Sequence, residues 1–283
     1  MVEINIIKKI IDTALSEDIG HGDITSSLLI PDKINVKGII TVEDDIVVAG
    51  LAVAAEVFKR LDHDALFEGV VSDGDAVKAG TVIARVSGNG RALLTGERVA
   101  LNFLQRLSGI ATLSGRYANA VKGLPVRIVD TRKTTPGLRI LEKYAVKTGG
   151  CFNHRYGLFD GVLIKENHIA LTSGVEEAVS IAKMKSPHTI KVEIEVKNLE
   201  EVKGAVKGKA DIIMLDNMDV AMMKEAVRII RGHRDREILI EASGGMSLDR
   251  VRDVALTGVD IISVGALTHA AAWANISMDI EKE

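Results

Sequence analysis

From about residue 125 the chain repeats one unit: a short apolar run, a loop, then an amphipathic stretch. The runs are "VRIVD", "GVLIK", "TIKVEIEV", "DIIMLD", "EILIEA" and "DIISVG". Between them lie "NLEEVKGAVKG", "DVAMMKEAVRIIRGH" and "SLDRVRDVALTG", with apolar residues at helical spacing. Strands alternating with helices build a parallel sheet. Six strands fall short of the eight of a closed barrel. The pattern predicts an α/β fold, an incomplete and irregular parallel α/β barrel of the TIM type, with a doubly wound sheet as the competing arrangement. A polar residue ends almost every strand: Asp130, Lys165, Glu195, Asp216 and Glu241. In a βα barrel such ends converge on the face where active sites sit.

Upstream the rhythm differs. "VKGIITVE", "DIVVAG", "FEGVVSDGD" and "TVIARVSG" are short strands between turns, preceded by a helical N-terminus. They predict a small α/β sandwich. Residues 91–121 read as a long helix that "SGIATLSG" interrupts. The expected domains are 1–110 for the sandwich and 111–266 for the barrel, with residues 267–283 packing back on the sandwich. A length of 283 residues suits two such domains. Hydrophobic residues make up 47% and aromatics only 3%, so aliphatic side chains must carry the burial, as parallel strands covered by helices require.

A net charge of -3 argues against a general nucleic-acid binder. The single cysteine, Cys151, excludes an intramolecular disulfide and fits a reducing cytosol. The N-terminus has no basic n-region, and "IVVAGLAVAA" is too short to span a bilayer. A cytoplasmic protein without membrane or nucleic-acid partners is expected. "GDAVKAGTVIARVSG" is similar to a carrier-domain hairpin, but Lys78 is not at a hairpin tip, so a structural hairpin is expected.

The chain has no G-x-x-x-x-G-K-[ST], no H-E-x-x-H, and no G-x-G-x-x-G opening a helix. It has cations at strand ends instead. Arg132 and Lys133 follow the first barrel strand in "DTRKTTPGLR", His154 and Arg155 precede the second, and Lys165 ends it. Arg98 sits on the long helix. Arginine forks match carboxylate and phosphate, and lysine adds a point charge. Such a set implies a polyanionic ligand. Glu195 and Asp216 suit Mg²⁺ or ribose hydroxyls, or serve as helix caps and ion-pair partners. Ser243, Gly244, Gly245, Gly265 and Ala266 offer bare N–H groups where phosphate binds in barrels. The residues suggest one small polyanion beside one phosphorylated sugar.

The segments "GERVALNFLQRLSGIAT", "DTRKTTPGLRILEKYAVKTGG", "NHRYGLFDGVLIKENH", "IMLDNM", "EASGG" and "GVDIISVGALTHAA" resemble the quinolinate phosphoribosyltransferases, also called nicotinate-nucleotide pyrophosphorylases, over roughly residues 95–272. "EDIGHGDITSSLL" resembles them more loosely. The resemblance implies the reaction: quinolinate and phosphoribosyl pyrophosphate give nicotinate mononucleotide, pyrophosphate and CO₂, with Mg²⁺, in NAD biosynthesis. It implies a homodimer or homohexamer in which Arg98 enters the neighbouring site. It places quinolinate on Arg98, Arg132, His154, Arg155 and Lys165. Phosphoribosyl pyrophosphate falls to Lys133, Glu195, Asp216, Ser243, Gly244, Gly245, Gly265 and Ala266. Lys133, Lys165, Glu195 and Asp216 become the catalytic set, with Glu195 and Asp216 near the metal. Cys151 stands where glycine is common and Glu166 where aspartate is common, and neither displaces a ligand-binding residue. The rival readings are a same-fold paralogue (nicotinate phosphoribosyltransferase or a ModD-like protein), a Schiff-base aldolase using Lys165, and a carrier modified at Lys78.

Overall fold

The computed structural model describes residues 4–233 and 237–282. Its helices are α1 (Ile4–Ile19), α2 (Ile24–Leu29), α3 (Leu51–Leu61), α4 (Gly90–Ala120), α5 (Arg139–Thr148), α6 (Glu166–Ile169), α7 (Val175–Lys185), α8 (Leu199–Lys207), α9 (Val220–Gly232), α10 (Leu248–Ala255) and α11 (Ala266–His269). Its strands are β1 (Asn35–Val42), β2 (Ile46–Val47), β3 (Leu66–Gly69), β4 (Ala76–Val77), β5 (Val82–Asn89), β6 (Arg127–Val129), β7 (Val162–Ile164), β8 (Val192–Val196), β9 (Ile212–Asp216), β10 (Leu239–Ser243), β11 (Ile261–Ser263) and β12 (Ile276–Lys282). Among the described residues, no helix is long and apolar enough to cross a membrane.

The chain forms two units that interleave in sequence; the expected division was 1–110, with 267–283 packing back on it, and 111–266. One takes the residues up to Gly115, Thr134–Gly150, and Ala270 onward; the other takes Arg116–Lys133 and Cys151–His269. In the first, a four-stranded sheet runs β12-β1-β5-β3. Strand β12 lies antiparallel to β1, with Val42 opposite Ile276. Strand β1 alternates cleanly: Val36, Ile40 and Val42 are buried, while Asn35 and Lys37 face out. Helix α3 buries Val53, Ala54, Val57 and Phe58, and the Phe58 ring stacks on Phe67 of β3 at 6.3 Å. The sequence hid α3, because "AGLAVAA" is a short apolar run whose period does not separate helix from strand.

Helix α4 runs unbroken through "SGIATLSG", contrary to the expected interruption. The small residues are there for close packing. Ser108 is buried, and its hydroxyl accepts from Ala49 N at 3.0 Å and donates to Ala49 O at 3.2 Å. A Cβ on Gly109 would stand 1.9 Å from the Ala272 carbonyl oxygen. Lys78 is ion-paired with Asp45 at 2.6 Å.

In the second unit six parallel strands run β6-β11-β10-β9-β8-β7. Strands β7 to β11 succeed one another in chain order, and the first strand, β6, returns beside the last. A doubly wound sheet would reverse its order part-way; this sheet does not, so it is an open barrel. Its seam lies between β6 and β7, where the contact to β6 is a bridge from Val129 to Phe152. The sheet core is Ile128, Val192, Ile194, Ile213, Leu215, Ile240, Ala242 and Ile262, all buried. Two of the covering helices, α8 and α9, start where side chains cap free N–H groups: Asn198 accepts from Glu201 N and Asp219 from Met222 N.

Candidate active site

At the C-terminal ends of these strands lies a cavity of about 680 Å³. It is lined by Arg132, Lys133, His154, Arg155, Lys165, Glu195, Asp216, Ser243, Gly244, Gly245, Gly265 and Ala266. Every site residue expected in the barrel therefore meets in one place. Arg98 does not line it; it is exposed on α4, in the other unit. The "DTRKTTPGLR" loop is divided. Arg132 and Lys133 line the cavity, whereas Thr134 onward belongs to the other unit. There Arg139 Nε donates to Thr134 Oγ1 at 3.0 Å, and the Thr135 hydroxyl donates to buried Glu142 at 2.7 Å. Glu142 claims Thr135 because Glu142 is fully buried and must fill its lone pairs; it also receives Arg106 Nη2 at 2.6 Å.

The cations flank the barrel seam. Asp130, fully buried just past β6, organises them. Its carboxylate receives Asn153 Nδ2 at 2.7 Å and the His154 N–H at 2.9 Å. Arg155 donates through Nη1 to Gly161 O at 2.7 Å. Burial, and then the charge of Arg132, lower the Arg155 pKa from its ordinary value. Two guanidiniums thus share a field that an anion would relieve. On the opposite side of the ring, His154 Nε2 lies 3.3 Å from Glu193 Oε2 and 3.6 Å from Glu241 Oε2. Burial works against a charged ring, while the two glutamates favour one and push its pKa upward. A second proton would have to sit on Nδ1, which already accepts the Arg155 N–H at 2.8 Å. That hydrogen bond is the sharper constraint: while it stands, the ring is the neutral Nε2–H tautomer.

Over β8 to β11 the lining changes to acids and small residues. Lys165 Nζ donates to Glu195 Oε2 at 2.5 Å, which joins the two groups across β7 and β8. Asp216 accepts Asn217 Nδ2 at 2.9 Å. Asn217 has φ 55° and Gly244 has φ 93°, and a Cβ on Gly244 would stand 2.2 Å from Asn217 Oδ1. Only glycine lets the "SGG" turn close over Asn217. The Lys133 carbonyl accepts the Thr268 hydroxyl at 2.7 Å, which ties the first loop to the last. Helix α11 is a single turn of four residues, so what Gly265 and Ala266 offer is their N–H groups rather than a long helix dipole. Glu195 and Asp216 are hard oxygen donors that line one cavity, a set that fits Mg²⁺ sharing its shell with waters and phosphate.

Residues 110–279 match the family model for the quinolinate phosphoribosyl transferase C-terminal domain, and residues 23–108 that for its N-terminal domain. The chain belongs to the quinolinate phosphoribosyltransferase family. A relative from Synechocystis sp., named a probable nicotinate-nucleotide pyrophosphorylase (carboxylating), is 45% identical over 94% of this chain and 90% of its own. One of the same name from Bacillus subtilis is 40% identical over 97% and 93%. The solved nicotinate-nucleotide pyrophosphorylase of Francisella tularensis shares the fold with a TM-score of 0.92, at 39% identity over 99% and 98% of the two chains.

Glu241 and His269 also line the cavity, and Glu193 is buried beside His154; none of these was expected among the ligand-binding residues. Glu193 lies two residues before Glu195 on β8, and a strand's period of two puts both on one face. Glu241 stands in the same relation to Ser243 on β10. His269, at the end of α11, lines the cavity and packs on Gly265. Cys151 is buried, and burial pushes its pKa up to about 12, which makes it a packing residue rather than a nucleophile. Glu166 is ion-paired with Lys197.

Proposed function

We propose that this chain catalyses decarboxylating phosphoribosyl transfer to quinolinate, giving nicotinate mononucleotide, pyrophosphate and CO₂. The observation that carries the reading is the ring order of the lining. Arg132, His154, Arg155 and Lys165 stand at the β6–β7 seam, and acids and glycines follow over β8 to β11. One side suits a planar dicarboxylate; the other suits a sugar bearing phosphates.

In this arrangement Arg132, Arg155 and Lys165 hold the two quinolinate carboxylates. The Lys165–Glu195 pair opens when the ligand enters, and Lys165 exchanges one carboxylate for another. Lys133 reaches toward both substrates. The turn from Ser243 to Gly245 and the N–H groups of Gly265 and Ala266 hold phosphate. Glu195 and Asp216 face the ribose and would hold Mg²⁺, which when bound supplies charge neutralisation for the departing pyrophosphate. The C1–O bond to pyrophosphate breaks, and the pyridine nitrogen bonds to C1. The ring, now cationic, accepts the electron pair as the C2–carboxylate bond breaks and CO₂ leaves, and C2 then takes a proton. No side chain serves as a covalent nucleophile; positioning and electrostatics carry the rate. We further infer a homo-oligomer in which Arg98 completes a neighbouring site.

Calorimetric titration tests the ligand. Nicotinate lacks the 2-carboxylate and leaves part of the seam cluster unpartnered. A charge-assisted hydrogen bond contributes about 1.5–3 kcal/mol. Nicotinate is therefore expected to bind at least about tenfold more weakly than quinolinate. Equal affinities would remove the basis of the reading.

A further inference from the structure

The mechanism above leaves two buried acids unused. Glu193 is 5% exposed and Glu241 1%. Each turns Oε2 toward His154 Nε2, and the Oε1 of each has no hydrogen-bond partner among the described residues. Burying two carboxylates side by side, each half satisfied, is costly. A purely structural filling of the barrel would use apolar residues there.

These groups have the donor set of a metal site, with ligand atoms within 4.8 Å of one another. The ring argues against that use. A neutral imidazole has one lone pair, and Nδ1 directs it at the Arg155 N–H, at 2.8 Å. Nε2 therefore carries the proton and points it at the acids. What the contacts do instead is form a line: carboxylates, ring, then the Arg155 peptide. From the other side Asp130 holds the His154 N–H at 2.9 Å, and Gly161 O holds the Arg155 guanidinium at 2.7 Å. The ring links the two acids to the Arg155 peptide, and Glu193 also favours the Arg155 charge through space.

We propose that Glu193 and Glu241 are positioning residues for quinolinate, acting through the His154 ring to fix the peptide and guanidinium of Arg155. The inference rests on quinolinate being the ligand. It assigns the buried pair to affinity for the dicarboxylate, and leaves the phosphoribosyl side alone.

A double-mutant cycle on the full chain, read by quinolinate titration, tests it. Replacing both acids by leucine removes the acceptors for Nε2–H. Quinolinate binding should weaken about tenfold, within the range of couplings in one hydrogen-bonded network. Replacing both by glutamine keeps an acceptor oxygen and should hold binding within about threefold of the parent, a rescue that bulk packing alone would not predict. In an Arg155→Ala background the leucine pair should change binding less than about twofold, because its target is gone. The KM for phosphoribosyl pyrophosphate should stay within about threefold throughout. An equal loss in both backgrounds, or no loss in either, overturns the proposal. If the leucine pair loses its cooperative unfolding transition, Glu193→Leu alone enters the same cycle under the same criteria. Failure of the parent protein to bind quinolinate would instead overturn the functional reading itself, so the two failures are distinguishable.

Discussion

Lys165 shows how one contact shapes what the site can do. Its ammonium is held by Glu195 at 2.5 Å, so the two charges neutralise each other in the free protein. Removing Glu195 should therefore release Lys165 for the dicarboxylate while removing an oxygen from the ribose side. Glu195→Ala and Asp216→Ala are expected to lower kcat at least about a hundredfold, the scale of losing one preorganised electrostatic contact. Quinolinate affinity should be unchanged or slightly tighter in Glu195→Ala. Titration of folded variants with quinolinate alone checks this, and a large loss of affinity in either would reverse the assignment. At this scale the sequence was legible where chemistry is unusual for its place. Arg132, Arg155 and Lys165 at strand ends have few roles other than binding. Glu193 was obscured because Glu195, on the same strand face, already seemed to account for the strand's acid.

Elements were legible to the degree that their period was unambiguous. Most barrel strands run into polar residues, and two of the helices that follow have capping side chains, so their ends could be placed from the pattern. Helix α4 could not, because glycine and serine carry opposite meanings on a free helix and a packed one. On a free helix Gly109 weakens the structure; in α4 it admits the Ala272 carbonyl. Gly109→Ala is thus expected to cost about 1–3 kcal/mol or more by overpacking. Gly232, the last residue of α9, has nothing within 4 Å of an added Cβ. Gly232→Ala should be neutral or stabilising by up to about 1 kcal/mol, since alanine is the better helix former. Chemical denaturation of both variants makes the comparison, and equal effects would mean that Gly109 is not at a close contact. The interleaving of the two units was also hidden, because no shift of composition marks Thr134 or Gly150.

For the whole molecule, the exposed position of Arg98 outside the cavity-bearing unit is the fact to account for. If Arg98 completes a neighbour's site, Arg98→Ala and Lys165→Ala chains, each inactive alone, should regain activity when mixed under conditions of verified subunit exchange. A hybrid dimer carries one intact site, so up to about a quarter of parental activity is expected from random pairing with one working site in half the dimers. No recovery would place Arg98 outside the catalytic assembly. The central claim, that the barrel cavity couples phosphoribosyl transfer to loss of the 2-carboxylate, is tested most directly by one assay. Purified protein is given phosphoribosyl pyrophosphate, Mg²⁺ and quinolinate labelled in the 2-carboxylate, and nucleotide and CO₂ are measured together. The account predicts one CO₂ per nicotinate mononucleotide at every time point, and little turnover when nicotinate replaces quinolinate. Nucleotide formed without CO₂, or comparable kcat/KM for the two acids, would contradict it.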